Sequence, residues 1–90
     1  MKINITIELY GIFRNYYQPK HVILTVAENI SLAELKQLFI AQLQQLNPDY
    51  QSEKLVEISV FADDDQILQD MSIILTTDRQ LAILPPVSGG

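Results

Sequence analysis

The chain has 90 residues, of which 48% are hydrophobic and 19% charged, and this composition predicts one compact soluble domain rather than a disordered segment. Its formal net charge of -5 argues against nucleic acid as a partner, because such binding depends largely on Lys and Arg neutralising phosphates. The absence of cysteine excludes disulfides, zinc thiolate sites and a side-chain thiol nucleophile.

The first part of the chain has the pattern of a β-hairpin. Residues 2–9 alternate polar and apolar side chains, which is typical of a strand with one buried and one solvated face. This stretch lacks the continuous apolar run of a signal peptide or membrane helix, so we expect a cytoplasmic protein with no membrane partner. Gly11 begins a turn region that extends to Pro19, and residues 21–26 are rich in β-branched side chains, which favours a returning strand.

A helix is predicted next, and a capping box marks its start. Ser31 is followed three residues later by Glu34, so each side chain can accept a hydrogen bond from the other residue's backbone N–H. Apolar residues then recur at helical spacing, which predicts an amphipathic helix covering a sheet. These residues are Leu32, Leu35, Leu38, Phe39, Leu43 and Leu46. Pro48 is expected to end the helix.

Two more strands are predicted between the helix and the C-terminus. Residues 55–62 are expected to form the third strand and residues 80–84 the last one, on either side of a short irregular crossing segment at 66–75. Residues 63–65 are three consecutive aspartates. We favour a turn over a metal site here, because the run lacks the glycine and distal glutamate of a calcium loop.

The most informative feature is the C-terminal run Ile83-Leu84-Pro85-Pro86-Val87-Ser88-Gly89-Gly90. Pro85 and Pro86 have a fixed φ and favour an extended backbone, so we expect a stiff stalk that leaves the last strand. Gly89 and Gly90 have no Cβ, which allows the backbone into a slot too narrow for a side chain. The terminal carboxylate of Gly90 is therefore the predicted site of chemistry. The plain alternative is a frayed terminus that ends on glycines by chance.

The last predicted strand is apolar on both faces. Leu81 and Ile83 can face the core, whereas Ala82 and Leu84 lie on the opposite side of the strand. We interpret the outer pair either as a docking surface beside the tail or as a sheet face covered by the protein's own loops.

The order of these elements resembles that of the β-grasp fold shared by ubiquitin and the bacterial sulfur carriers. Within that group the chain most closely resembles the small subunit of molybdopterin synthase. The resemblance rests on the ending Leu84-Pro85-Pro86-Val87-Ser88-Gly89-Gly90, and more loosely on Phe13-Arg14 and on the capped Ser31-Leu32 helix start. The chain departs from the family at residues 77–80, which lack the usual glycine, at Val60-Phe61, where Val-Asn is frequent, and in residues 61–75, a stretch longer than usual.

The resemblance implies an α+β, ubiquitin-like fold in which one main helix crosses a mixed sheet, with a β-grasp domain at residues 1–84 and a flexible tail at 85–90. It implies that a ubiquitin-activating-type adenylyltransferase uses ATP to adenylate Gly90, and that a persulfide sulfur donor then yields a thiocarboxylate. Docked into the large subunit of the synthase, in a complex of two small and two large subunits, the tail would deliver sulfur to cyclic pyranopterin monophosphate during molybdenum cofactor biosynthesis. No permanently bound cofactor and no metal are expected.

The same resemblance implies a role for each tail residue. Gly90 carries the sulfur, Gly89 allows passage through the partner's channel, Pro85 and Pro86 aim the stalk, and Val87 anchors in an apolar pocket. The full partner-binding set is expected to comprise Pro85, Pro86, Val87, Ser88, Leu84, Ala82 and Phe13.

Three alternatives to a molybdopterin synthase subunit are kept. The first is a sulfur carrier for thiamine or for a thiolated tRNA base, which would use the same Gly-Gly chemistry with another acceptor. The second is a ubiquitin-like modifier whose Gly90 is joined to a lysine amine. The third is a β-grasp interaction module whose tail has no chemical role.

Overall fold

The computed structural model of the protein describes residues 1–86. Seven strands and three helices occur in this part of the chain. In chain order they are β1 (Lys2–Leu9), α1 (Phe13–Tyr16), β2 (His21–Ala27), β3 (Ile30–Ser31), α2 (Leu32–Leu46), α3 (Glu53–Glu57), β4 (Val60–Ala62), β5 (Ile67–Leu68), β6 (Ile74–Leu75) and β7 (Arg79–Leu84). The predictions for Val87, Ser88, Gly89 and Gly90 lie outside the described residues.

The predicted N-terminal hairpin is confirmed. Strands β1 and β2 pair antiparallel, with Ile5 opposite Leu24, and short helix α1 lies between them in sequence. The alternation in β1 buries Ile3, Ile5, Ile7 and Leu9 in the core. One face of the hairpin is therefore apolar and buried by packing, as the period-two pattern requires.

Helix α2 begins with the predicted capping box. The Glu34 backbone N–H donates to Ser31 Oγ at 3.1 Å, and the Ser31 N–H donates to Glu34 Oε1 at 3.4 Å. The buried stripe of this helix is narrower than predicted, because Leu38 and Leu46 are 45% and 43% exposed. Leu38 lies about 60° around the helix from Leu35, at roughly 100° per residue, and so falls outside the face that contacts the sheet. The helix residues that pack into the core are Leu32, Leu35, Phe39 and Leu43.

The main sheet has five strands in the order β2-β1-β7-β4-β5. Strand β7 is central, parallel to β1 and antiparallel to β4. Strands β3 and β6 form a separate two-stranded sheet. Helix α2 lies across the main sheet, and the core forms between them. This is the predicted α+β arrangement, and it places the C-terminal strand in the middle of the sheet.

The prediction of a strand at residues 55–62 is wrong over its first half. Helix α3 occupies most of this half, and only the last three residues form strand β4. The Val56 N–H donates to the Ser52 carbonyl at 2.9 Å, and the Val56 side chain is fully buried. Core packing from a helical turn therefore outweighs the β propensity of this segment, since strand preference depends strongly on context.

The prediction of a turn at residues 63–65 is confirmed. The carboxylate Oδ1 of Asp63 accepts hydrogen bonds from the backbone N–H groups of Asp65 at 2.8 Å and Gln66 at 2.9 Å. An aspartate that bonds to the backbone two and three residues ahead stabilises a tight turn. The crossing segment at 66–75 is short and irregular as predicted, and it contains the two-residue strands β5 and β6.

Candidate functional site at the tail exit

The tail leaves the protein from the end of its central strand. Ile83 is opposite Leu9 of parallel strand β1, and Leu84 is opposite Val60 of antiparallel strand β4. Because ladders on both sides fix the end of β7, the chain emerges at a defined point. We call this point, formed by residues 84–86, the tail exit.

The two faces of β7 divide as predicted. Leu81 and Ile83 are buried in the core, whereas Ala82 and Leu84 lie on the outer face and are partly exposed. Paired residues of adjacent strands share a face, so Val60, opposite Leu84, joins this outer surface. Val60 is partly exposed as well. The outer face next to the tail exit is therefore apolar and accessible over these three residues, which we call the outer patch.

Among residues 1–86, three further apolar side chains near the tail exit are exposed, and none was predicted to be functional. Tyr10 and Ile12 are 41% and 42% exposed, and Ile58 is 63% exposed. Tyr10 comes directly after the residue opposite Ile83, and Ile58 comes shortly before strand β4. The parallel pairing of β1 with β7 is the feature that brings residues 10–12 to the same end of the sheet as the tail. We call Tyr10, Ile12 and Ile58 the apolar rim.

An acidic side chain borders the outer patch. Glu8 is opposite Ala82 in the β1–β7 register. A hydrogen bond with Glu8, together with its negative charge, raises the pKa of the Tyr10 hydroxyl above its ordinary value, so Tyr10 stays neutral at physiological pH. The outer patch therefore combines apolar contact area with a negative charge at its border, an arrangement complementary to a surface that is apolar at its centre and basic at its edge.

The prediction that Phe13 belongs to the partner-binding surface is corrected by its burial. Phe13 is 0% exposed, and its ring packs in the core with its centroid 6.5 Å from that of Phe39. The side chain therefore has no surface to offer a partner. It anchors helix α1, and with it the turn beside the tail exit, to the core of the protein.

The stalk prolines lie at the edge of the described residues. Pro85 is partly exposed and Pro86 is exposed, which is compatible with a chain leading away from the sheet. Within residues 1–86, no group of three or more His, Cys, Asp or Glu side chains is arranged to hold a metal ion. No helix in the same range combines the length and apolar character needed to cross a membrane.

Comparisons with known proteins support the fold but reveal no close relative by sequence. No protein-family model matches the chain, and no curated protein sequence does. Among solved structures, small archaeal modifier protein 1 from Haloferax volcanii is similar with a TM-score of 0.70 and 13% identity, covering 97% of this chain and 99% of that chain. A putative subunit 1 of molybdopterin converting factor from Pyrococcus furiosus gives a TM-score of 0.66 and 12% identity, covering 94% of this chain and 99% of that chain.

A third similar structure is a complex of subunits 1 and 2 of the molybdopterin-converting factor from Helicobacter pylori. Its matching chain has a TM-score of 0.60 and 16% identity, covering 98% of this chain and 100% of that chain. At identities this low, the likenesses establish the fold alone. The protein has a ubiquitin-like β-grasp fold.

Proposed function

We propose that this protein is the sulfur-carrier subunit of a molybdopterin synthase and that Gly90 delivers the sulfur. The observation that supports this proposal most directly is the combination of a Pro-Pro-Val-Ser-Gly-Gly ending with a central β7 strand that leads directly into that ending. A central strand is held by hydrogen bonds on both sides, so its end is a rigid base from which a tail can be aimed. An accessible apolar outer patch lies beside this base.

The proposed chemistry takes place at the terminal carboxylate. A carboxylate is a poor electrophile, so the Gly90 oxygen first attacks the α-phosphate of ATP, which releases pyrophosphate and leaves an acyl adenylate. The terminal sulfur of a persulfide then attacks the acyl carbon and AMP leaves. A second thiol cleaves the resulting S–S bond and frees the thiocarboxylate, whose soft sulfur is a good nucleophile. Transfer of this sulfur to cyclic pyranopterin monophosphate, with water supplying the replacement oxygen, restores the carboxylate.

The large synthase subunit is the proposed partner at the outer patch. Val60, Ala82 and Leu84 supply apolar area of the kind found at the centre of protein interfaces. The similar Helicobacter pylori chain comes from a complex of subunits 1 and 2, which supports a partner of the same class here. The partner would supply the acid–base groups and the substrate pocket, so that this protein acts as a co-substrate that is consumed and recharged.

Intact mass spectrometry tests the carrier function directly. The protein is incubated with ATP, a persulfide donor and the activating enzyme of the same cell, and a variant lacking Gly90 is treated in parallel. We expect a gain of about 16 Da, oxygen replaced by sulfur, in the full chain only. An unchanged mass with an activating enzyme that adenylates the chain would refute the sulfur-carrier function.

A ubiquitin-like modifier is the second candidate, and it is favoured by one specific observation. The similar chain from Haloferax volcanii is a small archaeal modifier protein, and its TM-score is 0.70. In that case Gly90 would be joined to lysine amines of other proteins. The last Lys or Arg of this chain is Arg79, so trypsin would leave residues 80–90 as a branch on each modified lysine. Detection of that branch by peptide mass spectrometry distinguishes a modifier from a carrier.

A further inference from the structure

A glycine in the turn after β1 touches the first proline of the stalk. Gly11 has φ +59°, and a Cβ atom placed on it would lie 2.7 Å from Pro85 Cγ and 3.5 Å from Pro85 Cδ. The shorter distance is below any that carbon atoms adopt without a shift. The left-handed backbone therefore favours glycine at this position, and the close approach of the proline ring leaves no space for a Cβ atom.

The strand register explains why these two residues meet. Strands β1 and β7 are parallel, with Leu9 opposite Ile83, so both chains leave the sheet at the same end and two residues further on Gly11 is beside Pro85. The turn is held firmly: the Arg14 N–H donates to the Gly11 carbonyl at 3.0 Å. Phe13, two residues after Gly11, is buried in the core and anchors the same turn there. Gly11 is thus part of a rigid support rather than of a loose loop.

We propose that Gly11 is a positioning residue that sets the direction in which the tail leaves the sheet. The Pro85 ring rests on the bare Cα of Gly11, and any side chain there must push the ring away. Residues 86–90 span at most about 17 Å when extended, so a rotation of about 10° at Pro85 moves the chain end by roughly 3 Å. A displacement of about 1 Å at reacting groups can lower a rate on the order of 100-fold. The consequence for sulfur transfer rests on the proposed function, whereas the control of direction does not.

A distance measurement tests the control of direction. Because the chain has no cysteine, Ser88→Cys and Gln37→Cys can carry two spin labels, one on the tail and one on the exposed side of α2, for double electron–electron resonance. Ser88 lies at most about 10 Å beyond Pro85, so the same rotation moves it by roughly 2 Å; Gly11→Ala on this background is therefore expected to shift the mean label distance by about 2 Å or more, or to broaden the distribution by a similar width. An unchanged distribution in a folded Gly11→Ala protein would overturn the proposal.

Asn29 provides a matched control for backbone strain. It is the non-glycine residue with positive φ, +67°, among those the structure describes, and its N–H bonds to the Leu75 carbonyl, away from the tail exit. Asn29→Ala introduces alanine into a left-handed conformation, as Gly11→Ala does, but without contact to Pro85. We expect it to leave the label distance unchanged. A shift of equal size in both variants would show that general loosening moves the tail, and it would also overturn the proposal.

A double-variant experiment covers the case in which Gly11→Ala folds poorly. Pro85→Ala removes the two ring atoms that a side chain at position 11 would meet. If the clash is the cause, the double variant Gly11→Ala/Pro85→Ala should regain part of the urea midpoint that Gly11→Ala loses. In the double variant Asn29→Ala/Pro85→Ala, the two changes in urea midpoint should simply add. Additive behaviour in both pairs would refute a direct Gly11–Pro85 coupling.

The reconstituted synthase gives the functional readout. A misdirected tail on an intact docking surface should lower kcat for sulfur transfer by about tenfold or more while the affinity for the large subunit stays within about twofold. A label shift without any sulfur loading would leave the positioning role in place and refute the proposed function. Normal kcat together with a clear label shift would mean that the partner re-aims the tail, which would overturn the functional part of the inference.

Discussion

The two ends of strand β7 are held by different kinds of interaction. At the amino end, Arg79 Nη2 donates to Asp63 Oδ2 at 2.9 Å, and the Asn4 N–H donates to Asp78 Oδ1 at 2.8 Å. At the carboxyl end, Leu84 lies beside an apolar strand and Pro85 rests on Gly11. Polar side-chain contacts therefore reinforce the amino end, whereas at the carboxyl end the backbone ladders on both sides are reinforced by shape and apolar packing.

This difference indicates which end is available to a partner. The polar groups of the amino end already have partners within the chain, and covering a charge with another protein costs desolvation free energy. The apolar groups of the carboxyl end are partly exposed, so covering them is favourable. A partner gains most by docking at the carboxyl end, next to the tail. Variants of the two ends can test this comparison.

The largest effect is expected inside β7, at the core face of the carboxyl end. Ile83 is 1% exposed, so Ile83→Ala removes buried methyl groups and leaves a cavity; we expect a loss of about 2–5 kcal/mol in the free energy of unfolding, measured by urea denaturation. Leu84→Ala, the neighbouring change on the partly exposed outer face, should lower the free energy of unfolding by less than about 1.5 kcal/mol. Equal losses would mean that the protein covers its own outer patch.

The second prediction concerns the affinity of the outer patch for the proposed large subunit. Leu84→Ala should weaken the complex by about tenfold, or roughly 1.4 kcal/mol, because it removes apolar area next to the tail. Isothermal titration calorimetry measures this change. Ile74→Ala is the matched control, since Ile74 is also an exposed apolar residue, 51% accessible, but lies in β6 of the small sheet. Similar losses in both variants would argue against docking at the carboxyl end of β7.

The third prediction tests the polar amino end. Asp78→Ala removes the acceptor for the Asn4 N–H and should lower the free energy of unfolding by about 1 kcal/mol. Asp78→Asn retains an acceptor oxygen and should recover most of that loss. Asp64→Ala changes the net charge by the same amount at an exposed residue of the neighbouring turn and should be nearly neutral. Binding of the large subunit should be unaffected by all three changes.

Elements with a local signal could be predicted from the sequence. The alternation of β1 and the Ser31–Glu34 capping box depend on residues close together in the chain, and the structure contains both. Helix α3 could not be predicted, because β-branched Val56 favours a strand locally and is helical only through its burial. The prediction of a strand at 55–62 was wrong over its first half because the residues that bury Val56 are distant in the sequence.

The candidate site was predictable in part for the same reason. Alternation within β7 correctly predicted that Ile83 faces the core and Leu84 the outer face. The expected chemistry at Gly90 was inferred from the C-terminal run of residues. The rim residues Tyr10 and Ile12 were missed because their proximity to the tail depends on the pairing of β1 with β7 across most of the sequence. Phe13 was placed on the surface wrongly, since an apolar residue in a loop has no pattern that separates a buried anchor from an exposed contact.

The smallest effect is expected from the pH dependence of the amino end. Hydrogen bonds from the Asp65 and Gln66 backbone N–H groups, together with the Arg79 charge, lower the pKa of the Asp63 carboxyl below its ordinary value of 3.8. A carboxyl whose pKa is lower in the folded state stabilises the fold above the unfolded-state pKa, and this stabilisation is lost as pH falls through the folded-state pKa. Asp63→Asn should therefore unfold more easily than the wild type near pH 7, with the difference shrinking from about pH 4 downward.

Thermal unfolding followed at several pH values measures that difference, and Asp64→Asn serves as the control for the loss of one charge in the same turn. Asp70, whose pKa is lowered by its hydrogen bonds with Ser72, contributes acid sensitivity to every variant, so only the difference between Asp63→Asn and the wild type reports on Asp63. If that difference stayed constant with pH, the Asp63 carboxylate would stabilise its turn and its contact with Arg79 through packing rather than charge. The side chains at the two ends of β7 would then contribute the same kind of interaction. The contrast between them would no longer explain why the end next to the tail is the one that remains exposed.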